Sequence, residues 1–117
     1  MIKREHILSL VKNRISKIDP DIQIILFGSR ARKDATSDSD WDFLILTKNT
    51  LTADLKNRIL DELFETELET DEVLTGIIQN KYEWSEYEET PIYKHIQADG
   101  IAIWQAKIWL NTAISEP

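Results

Sequence analysis

The sequence predicts a small α/β (α+β) domain, and three features carry that expectation. An apolar stripe with helical spacing opens the chain, two nearly unbroken β-branched and aromatic runs follow it, and a second helical stripe comes after those runs. At 117 residues the chain has room for one hydrophobic core but not for a second domain beside it, so residues 1–117 are expected to form one domain. No Gly/Ser linker, internal repeat or low-complexity tract suggests a boundary.

Ile7, Leu8, Val11, Ile15 and Ile18 recur at spacings of three and four, which predicts a first helix, and Asp19-Pro20-Asp21 stops it. Ile22 to Phe27 reads as a buried strand that ends at Gly28 in a backbone turn. Trp41 to Thr47 reads as a second strand, entered from inside an acidic motif. Thr52 is placed to cap a second long helix whose expected core stripe is Leu55, Ile59, Leu60, Leu63 and Phe64, fraying over Thr66 to Thr70. Val73 to Gln79 is expected as a third strand, with Gly76 a weak point or a close backbone approach. Pro91 suits the first turn of a short helix through Asp99, Gly100 suits its left-handed C-terminal position, and Ile101 to Trp104 suits an edge strand. The tail from Gln105 to Pro117 has two readings: Ile108, Trp109 and Ile114 either pack on the domain or belong to a partner surface.

The chemistry concentrates between Gly28 and Asp42. Strand alternation puts Asp40 and Asp42 on one face, their Cα atoms about 6 to 7 Å apart, with Trp41 pointing the other way. Two carboxylates so placed attract Mg²⁺, a hard cation that takes one or two carboxylates and completes its shell with water and substrate phosphates. Gly28 and Ser29 follow a strand and open a short helix, so backbone N–H groups and the Ser29 hydroxyl can face phosphate oxygens with no Cβ in the way at Gly28. Arg30 and Arg32 add positive charge nearby. Taken alone, Gly-Ser is an ordinary turn and Asp-x-Asp a solvated strand start. Their succession, from strand to Gly-Ser to a basic helix start to Asp-x-Asp and a second buried strand, is what gives the segment its meaning.

In Gly28-Ser29-Arg30-Ala31-Arg32 and Asp38-Ser39-Asp40-Trp41-Asp42 the chain resembles the minimal nucleotidyltransferases of the DNA polymerase β superfamily. The resemblance implies a nucleotidyltransferase fold, a small mixed sheet flanked by helices, over residues 1 to about 104. It implies in-line attack of an acceptor hydroxyl on the α-phosphorus of a nucleoside triphosphate, with ATP as the expected substrate and AMP the transferred group. It also implies that Asp40 and Asp42 are the catalytic and Mg²⁺-binding residues, that Gly28 and Ser29 hold the phosphates, and that Arg30 assists. Such proteins are often antitoxins paired with small helical HEPN proteins, so a partner of that kind is expected. The family pattern has a third carboxylate on the third strand. Here the site-facing polar position is Thr75, Asp71 and Glu72 precede the strand, and only a slipped register would bring Glu72 in. A binding module that neutralises its partner by complex formation is therefore the alternative to an enzyme.

Charge and composition narrow the partners. Net charge is −7; residues 61–89 hold eleven acids against the single base Lys81, whereas residues 1–60 hold eleven Lys or Arg against eight acids. Stable polynucleotide binding is not expected, because it rests on clustered cations that an acidic flank would oppose. That flank suits a basic protein surface, or merely solvates a helix face. No apolar run approaches the ~20 residues of a membrane span, and the charged N-terminus lacks a signal-like stretch, so a cytoplasmic location is expected. Without cysteine, disulfides and thiolate zinc sites are excluded. His6 and His95 have no second ligand in register, and with only Gly28, Gly76 and Gly100 present neither a Walker loop nor a dinucleotide fingerprint is possible. Trp84, Trp104 and Trp109 are read as core or interface, and homo-oligomerisation is left open.

Overall fold

The computed structural model describes residues 3–106. Its elements follow one another as α1 (Lys3–Ile18), β1 (Gln23–Phe27), α2 (Ser29–Arg32), β2 (Trp41–Thr47), α3 (Ala53–Thr70), β3 (Leu74–Asn80), α4 (Lys81–Trp84), a 3-10 turn (Ser85–Tyr87), α5 (Pro91–Asp99) and β4 (Ile101–Gln105). The strands form one sheet in the order β3-β2-β1-β4. β1 pairs antiparallel with both β2 and β4, while β2 pairs parallel with β3 through the α3 crossover. The sheet is thus mixed and flanked by helices, as the α+β expectation requires. None of the described helices is long and apolar enough to cross a membrane.

Alternation along the strands builds two cores. Ile24 and Leu26 of β1 and Trp41, Phe43 and Ile45 of β2 meet Ile7, Val11 and Ile15 of α1 and Ile59 and Leu63 of α3. On the opposite face Leu44 and Leu46 pack with Trp84 and Ile96. β2 lies between β1 and β3 with both faces covered over most of its length, which is why it reads as an almost continuous apolar run.

Several local expectations are corrected by this packing. Leu60 and Phe64 do not join the α3 core stripe: they are 41% and 55% exposed, and Thr66 is buried beside Ile59 and Leu63 instead. The error arises because α3 carries apolar residues on two faces, and spacing alone does not say which one meets the sheet. The helix also runs unfrayed to Thr70, because Arg14 of α1 donates to the Thr66 hydroxyl at 3.0 Å and pairs with Glu69. Asp71 then ends it in the left-handed conformation. Gly100 is not left-handed; its φ is −64°, and glycine is needed for room, since a Cβ there would lie 2.5 Å from the Ile96 carbonyl oxygen and 2.8 Å from Ile25 Cγ2. α4 and the 3-10 turn were not anticipated, although Asn80 caps α4 through its side chain. The expected roles of Ile108, Trp109 and Ile114 lie outside the described residues. Trp84 is a core residue, as expected, and His6 and His95 are exposed.

Candidate active site

Residue parity along β2 decides what faces where. Trp41 enters the α1/α3 side and is buried, so Asp42 emerges on the opposite face between two register partners, Phe27 on β1 and Thr75 on β3. Asp40 stands just ahead of the strand, exposed, and its negative charge reaches Asp42. Burial, and then that charge, raise the Asp42 pKa above its ordinary value; the Thr75 hydroxyl, which hydrogen-bonds to the carboxylate, and the Arg32 charge oppose the rise.

Gly28 makes room for this carboxylate. It sits at φ 74°, ψ −159°, a conformation open essentially to glycine, and a Cβ on it would lie 2.5 Å from Asp42 Oδ2. The two halves of the sequence motif therefore touch: the Gly28-Ser29 turn and Asp42 form one notch, with α2 beginning at Ser29. Gly28→Ala is expected to fold with a loss of roughly 1–3 kcal/mol from backbone strain and to displace the Asp42 side chain. Urea unfolding followed by circular dichroism reads the first effect, and a shift of the Asp42 carboxyl resonance in NMR spectra reads the second. An alanine variant with unchanged stability and an unmoved Asp42 signal would show that Gly28 does not make room for the carboxylate.

The two arginines part company. Residues two apart on a helix lie about 200° apart around its axis, so Arg30 and Arg32 leave α2 in nearly opposite directions. The Arg30 guanidinium lies 4.3 Å over the Trp41 ring, donates to the Ser39 carbonyl at 2.9 Å and approaches Glu72 at 3.6 Å. It is not brought to the carboxylate face. Arg32 is there instead, 44% exposed, pairing with Asp34 at 3.1 Å and with Asp99 at 3.7 Å while its charge acts on Asp42. Asp99, at the end of α5, is thereby a neighbour of the site that sequence reading missed. The 200° rule applied to α2 could have found Arg32; nothing local announced Asp99.

The third-strand question is also decided. Trp41 pairs with Leu74 and Asp42 with Thr75, so no slip brings an acid opposite Asp42. Glu72 is occupied on the far side: Trp41 Nε1 donates to it at 2.9 Å and Lys3 pairs with it at 2.8 Å. Burial disfavours its charge, but hydrogen bonds from Lys3 and Trp41 and the charges of Lys3 and Arg30 prevail, and its pKa falls below the ordinary value. Among the described residues no three or more His, Cys, Asp or Glu side chains gather as a metal cage. A pair of carboxylates is nonetheless a donor set that Mg²⁺ accepts when phosphate oxygens complete it.

With this geometry in place, the sequence comparison is decisive: the family profile described as the nucleotidyltransferase domain matches residues 8–99. The chain belongs to the nucleotidyltransferase domain family. The match spans all four of the elements that build the site, namely β1, α2, β2 and β3. No curated protein matches the chain in sequence. Similar folds occur among solved structures of toxin–antitoxin pairs. A chain in a mutant of the toxin–antitoxin MntA-HpeT aligns with TM-score 0.56 and 15% identity over 96% of this chain and 84% of that one. A chain of a toxin–antitoxin with AMP-PNP gives TM-score 0.56 and 18% identity over 89% and 84%. A chain from the complex of tri-AMPylated Shewanella oneidensis HEPN toxin with MNT antitoxin gives TM-score 0.51 and 17% identity over 90% and 78%. At these identities the likeness is one of fold, and it extends from the segment between Gly28 and Asp42 over nearly the whole chain in architecture.

Proposed function

We propose that this nucleotidyltransferase domain transfers AMP from ATP, with Mg²⁺, to a hydroxyl on a partner protein, and that it serves as the antitoxin of a HEPN-type toxin. One observation carries the reading: the Asp42 carboxylate rests against the Gly28 turn with the Asp40 charge beside it. A carboxylate pair able to attract a cation beside a glycine turn whose backbone N–H groups could meet phosphate oxygens supports the reading. Asp40 and Asp42 are the residues that would hold the metal, and Gly28 and Ser29 would meet the phosphates. Arg32 takes the assisting role first expected of Arg30, because it is the cation on that face. When bound, Mg²⁺ lowers the repulsion between the triphosphate and the incoming oxygen and stabilises the charge of the leaving group. The acceptor oxygen forms the new bond to the α-phosphorus, the α–β bridging bond breaks, pyrophosphate departs and the hydroxyl proton is lost. Thr75 donates a hydrogen bond but does not accept that proton at neutral pH, so solvent or the partner must take it. The exposed setting of Asp40 and Thr75 suits a macromolecular acceptor approaching from solution. A toxin AMPylated in complex with an antitoxin is what one structure of similar fold contains, and it supports the same assignment here.

The threonine in place of a third acid favours a second reading, a module that binds its partner without catalysis. Incubation with α-phosphate-labelled ATP and Mg²⁺, in the presence of the protein that co-purifies with this chain, separates the two. Label on the partner, absent with Asp40→Asn, is the expected result. A partner that stays bound and inhibited without label would establish the binding module and end the catalytic reading.

A further inference from the structure

α3 has a second apolar face that the fold leaves unused. Leu60, Phe64 and Leu68 follow one another at intervals of four and are 41%, 55% and 65% exposed, on the side of the helix away from Ile59, Leu63 and Thr66. Val73, just beyond the helix, is 56% exposed as well. Among the described residues nothing covers this ridge. Residues four apart lie one above another on a helix, so these three side chains form a continuous strip rather than scattered apolar points. Scattered surface leucines need no explanation, whereas a ridge of three, with an aromatic at its centre, is the pattern of a docking face.

The charges beside the ridge select its occupant. Asp61 and Glu65 lie along one edge and Glu67, which accepts from Leu74 N–H through one oxygen, along the other; between Arg58 and Leu74 the chain has no Lys or Arg, and Arg14 of α1, which borders the Leu68 end, is already paired with Glu69. A second copy of the chain packed on this face would set acid against acid. Nucleic acid and an anionic membrane surface would be repelled for the same reason. We propose that the Leu60-Phe64-Leu68 ridge docks a basic amphipathic helix of a protein partner, whose apolar residues meet the ridge and whose Lys or Arg side chains meet the acids at its edges. Phe64 is the anchor, since aromatic residues at the middle of an interface carry a large share of binding energy. The ridge lies on α3, on the helical side of the sheet, and the Asp42 notch lies on the other side. Docking here is therefore separable from nucleotide transfer, and the inference does not depend on catalysis.

The test uses the full chain and an 18-residue fluorescent peptide of leucine and lysine patterned as an amphipathic helix, with a leucine and glutamate peptide of identical pattern as its counterpart. Fluorescence anisotropy should show binding of the lysine peptide, weakened by added salt, and no binding of the glutamate peptide. Phe64→Ser combined with Leu68→Ser should weaken the lysine peptide by roughly tenfold or more. Both side chains are largely solvent-exposed, so the double variant keeps the fold, which circular dichroism verifies. Absence of peptide binding, equal binding to wild type and double variant, or equal binding of both peptides would overturn the proposal. Sedimentation showing a dimer that Phe64→Ser dissociates would overturn it in favour of a second copy.

Discussion

Asp42→Asn is expected to abolish nucleotide transfer, by roughly a hundredfold or more, without harming the fold. The variant keeps the shape of the side chain and an oxygen that still accepts from Thr75, but it loses the charge by which, in the proposed function, the Asp40/Asp42 pair would hold a cation. Stability should remain or rise. In the native protein, burial and the Asp40 charge both act against ionised Asp42, and its pKa lies above the ordinary 3.8. Between 3.8 and the raised value the folded state holds more proton than the unfolded one, so stability falls as pH rises through that window. At neutral pH the wild-type chain therefore keeps a strained carboxylate, which the asparagine relieves. Thermal melting at pH 4 and pH 7 checks the sign: the drop in melting temperature from the lower to the higher pH should be smaller in Asp42→Asn than in the wild type. Adding Mg²⁺ and ATP should raise the wild-type melting temperature and leave that of the variant unchanged, since only a folded state that binds them is stabilised. A variant that melts well below the wild type, or that transfers label normally, would show that Asp42 serves structure rather than chemistry.

The parts of the site that are legible in the sequence are those with a local physical cause. Gly28-Ser29 and Asp40-x-Asp42 could be read directly because each residue type is needed for a local reason: positive φ and closeness at Gly28, alternation at Asp42. Thr75 was legible by the same alternation once its strand was recognised. The arginines are harder: the family motif points to Arg30 as the assisting cation, and only the helical twist of α2 sends Arg30 to the Trp41 side and Arg32 to the Asp42 side of the sheet. The sequence leaves Glu72 only a slipped register as a way into the site, and its contacts with Trp41 and Lys3, which hold it elsewhere, are made across 31 residues in one case and 69 in the other. Gly100 was read from a common helix ending, whereas its cause is contact with Ile25 and Ile96. α3 misled for a related reason: a helix with apolar residues on two faces satisfies the pattern twice, and the core takes only one. What local chemistry demands was readable. What depends on which element packs beside it was not.

Trp41→Ala is expected to cost about 3–5 kcal/mol, the usual loss for emptying a large buried aromatic site. For a domain whose total stability is of order 5–15 kcal/mol, that loss brings the chain close to unfolding. The number rests on more than volume. Trp41 is 1% exposed and packs with Ile7, Val11 and Phe43, its Nε1 supplies a hydrogen bond to Glu72, and its ring lies under the Arg30 guanidinium. Removing it leaves a carboxylate that is 13% exposed with one donor fewer and an arginine equally buried without its ring. Trp41→Phe separates these contributions. It preserves most of the apolar volume and a ring beneath Arg30, and loses the Nε1 donor, so its cost should fall to about 1.5–3 kcal/mol, the range for a hydrogen bond to a charged group. Urea unfolding of both variants, followed by far-UV circular dichroism, gives the two values. Because residue 41 faces the helices while residues 40 and 42 face the notch, the phenylalanine variant, folded at low temperature, should transfer label at close to the wild-type rate. A folded Trp41→Phe protein without transfer would mean that the two faces of β2 are coupled. Equal costs for alanine and phenylalanine would place the whole contribution in the Glu72 hydrogen bond and none in the packing.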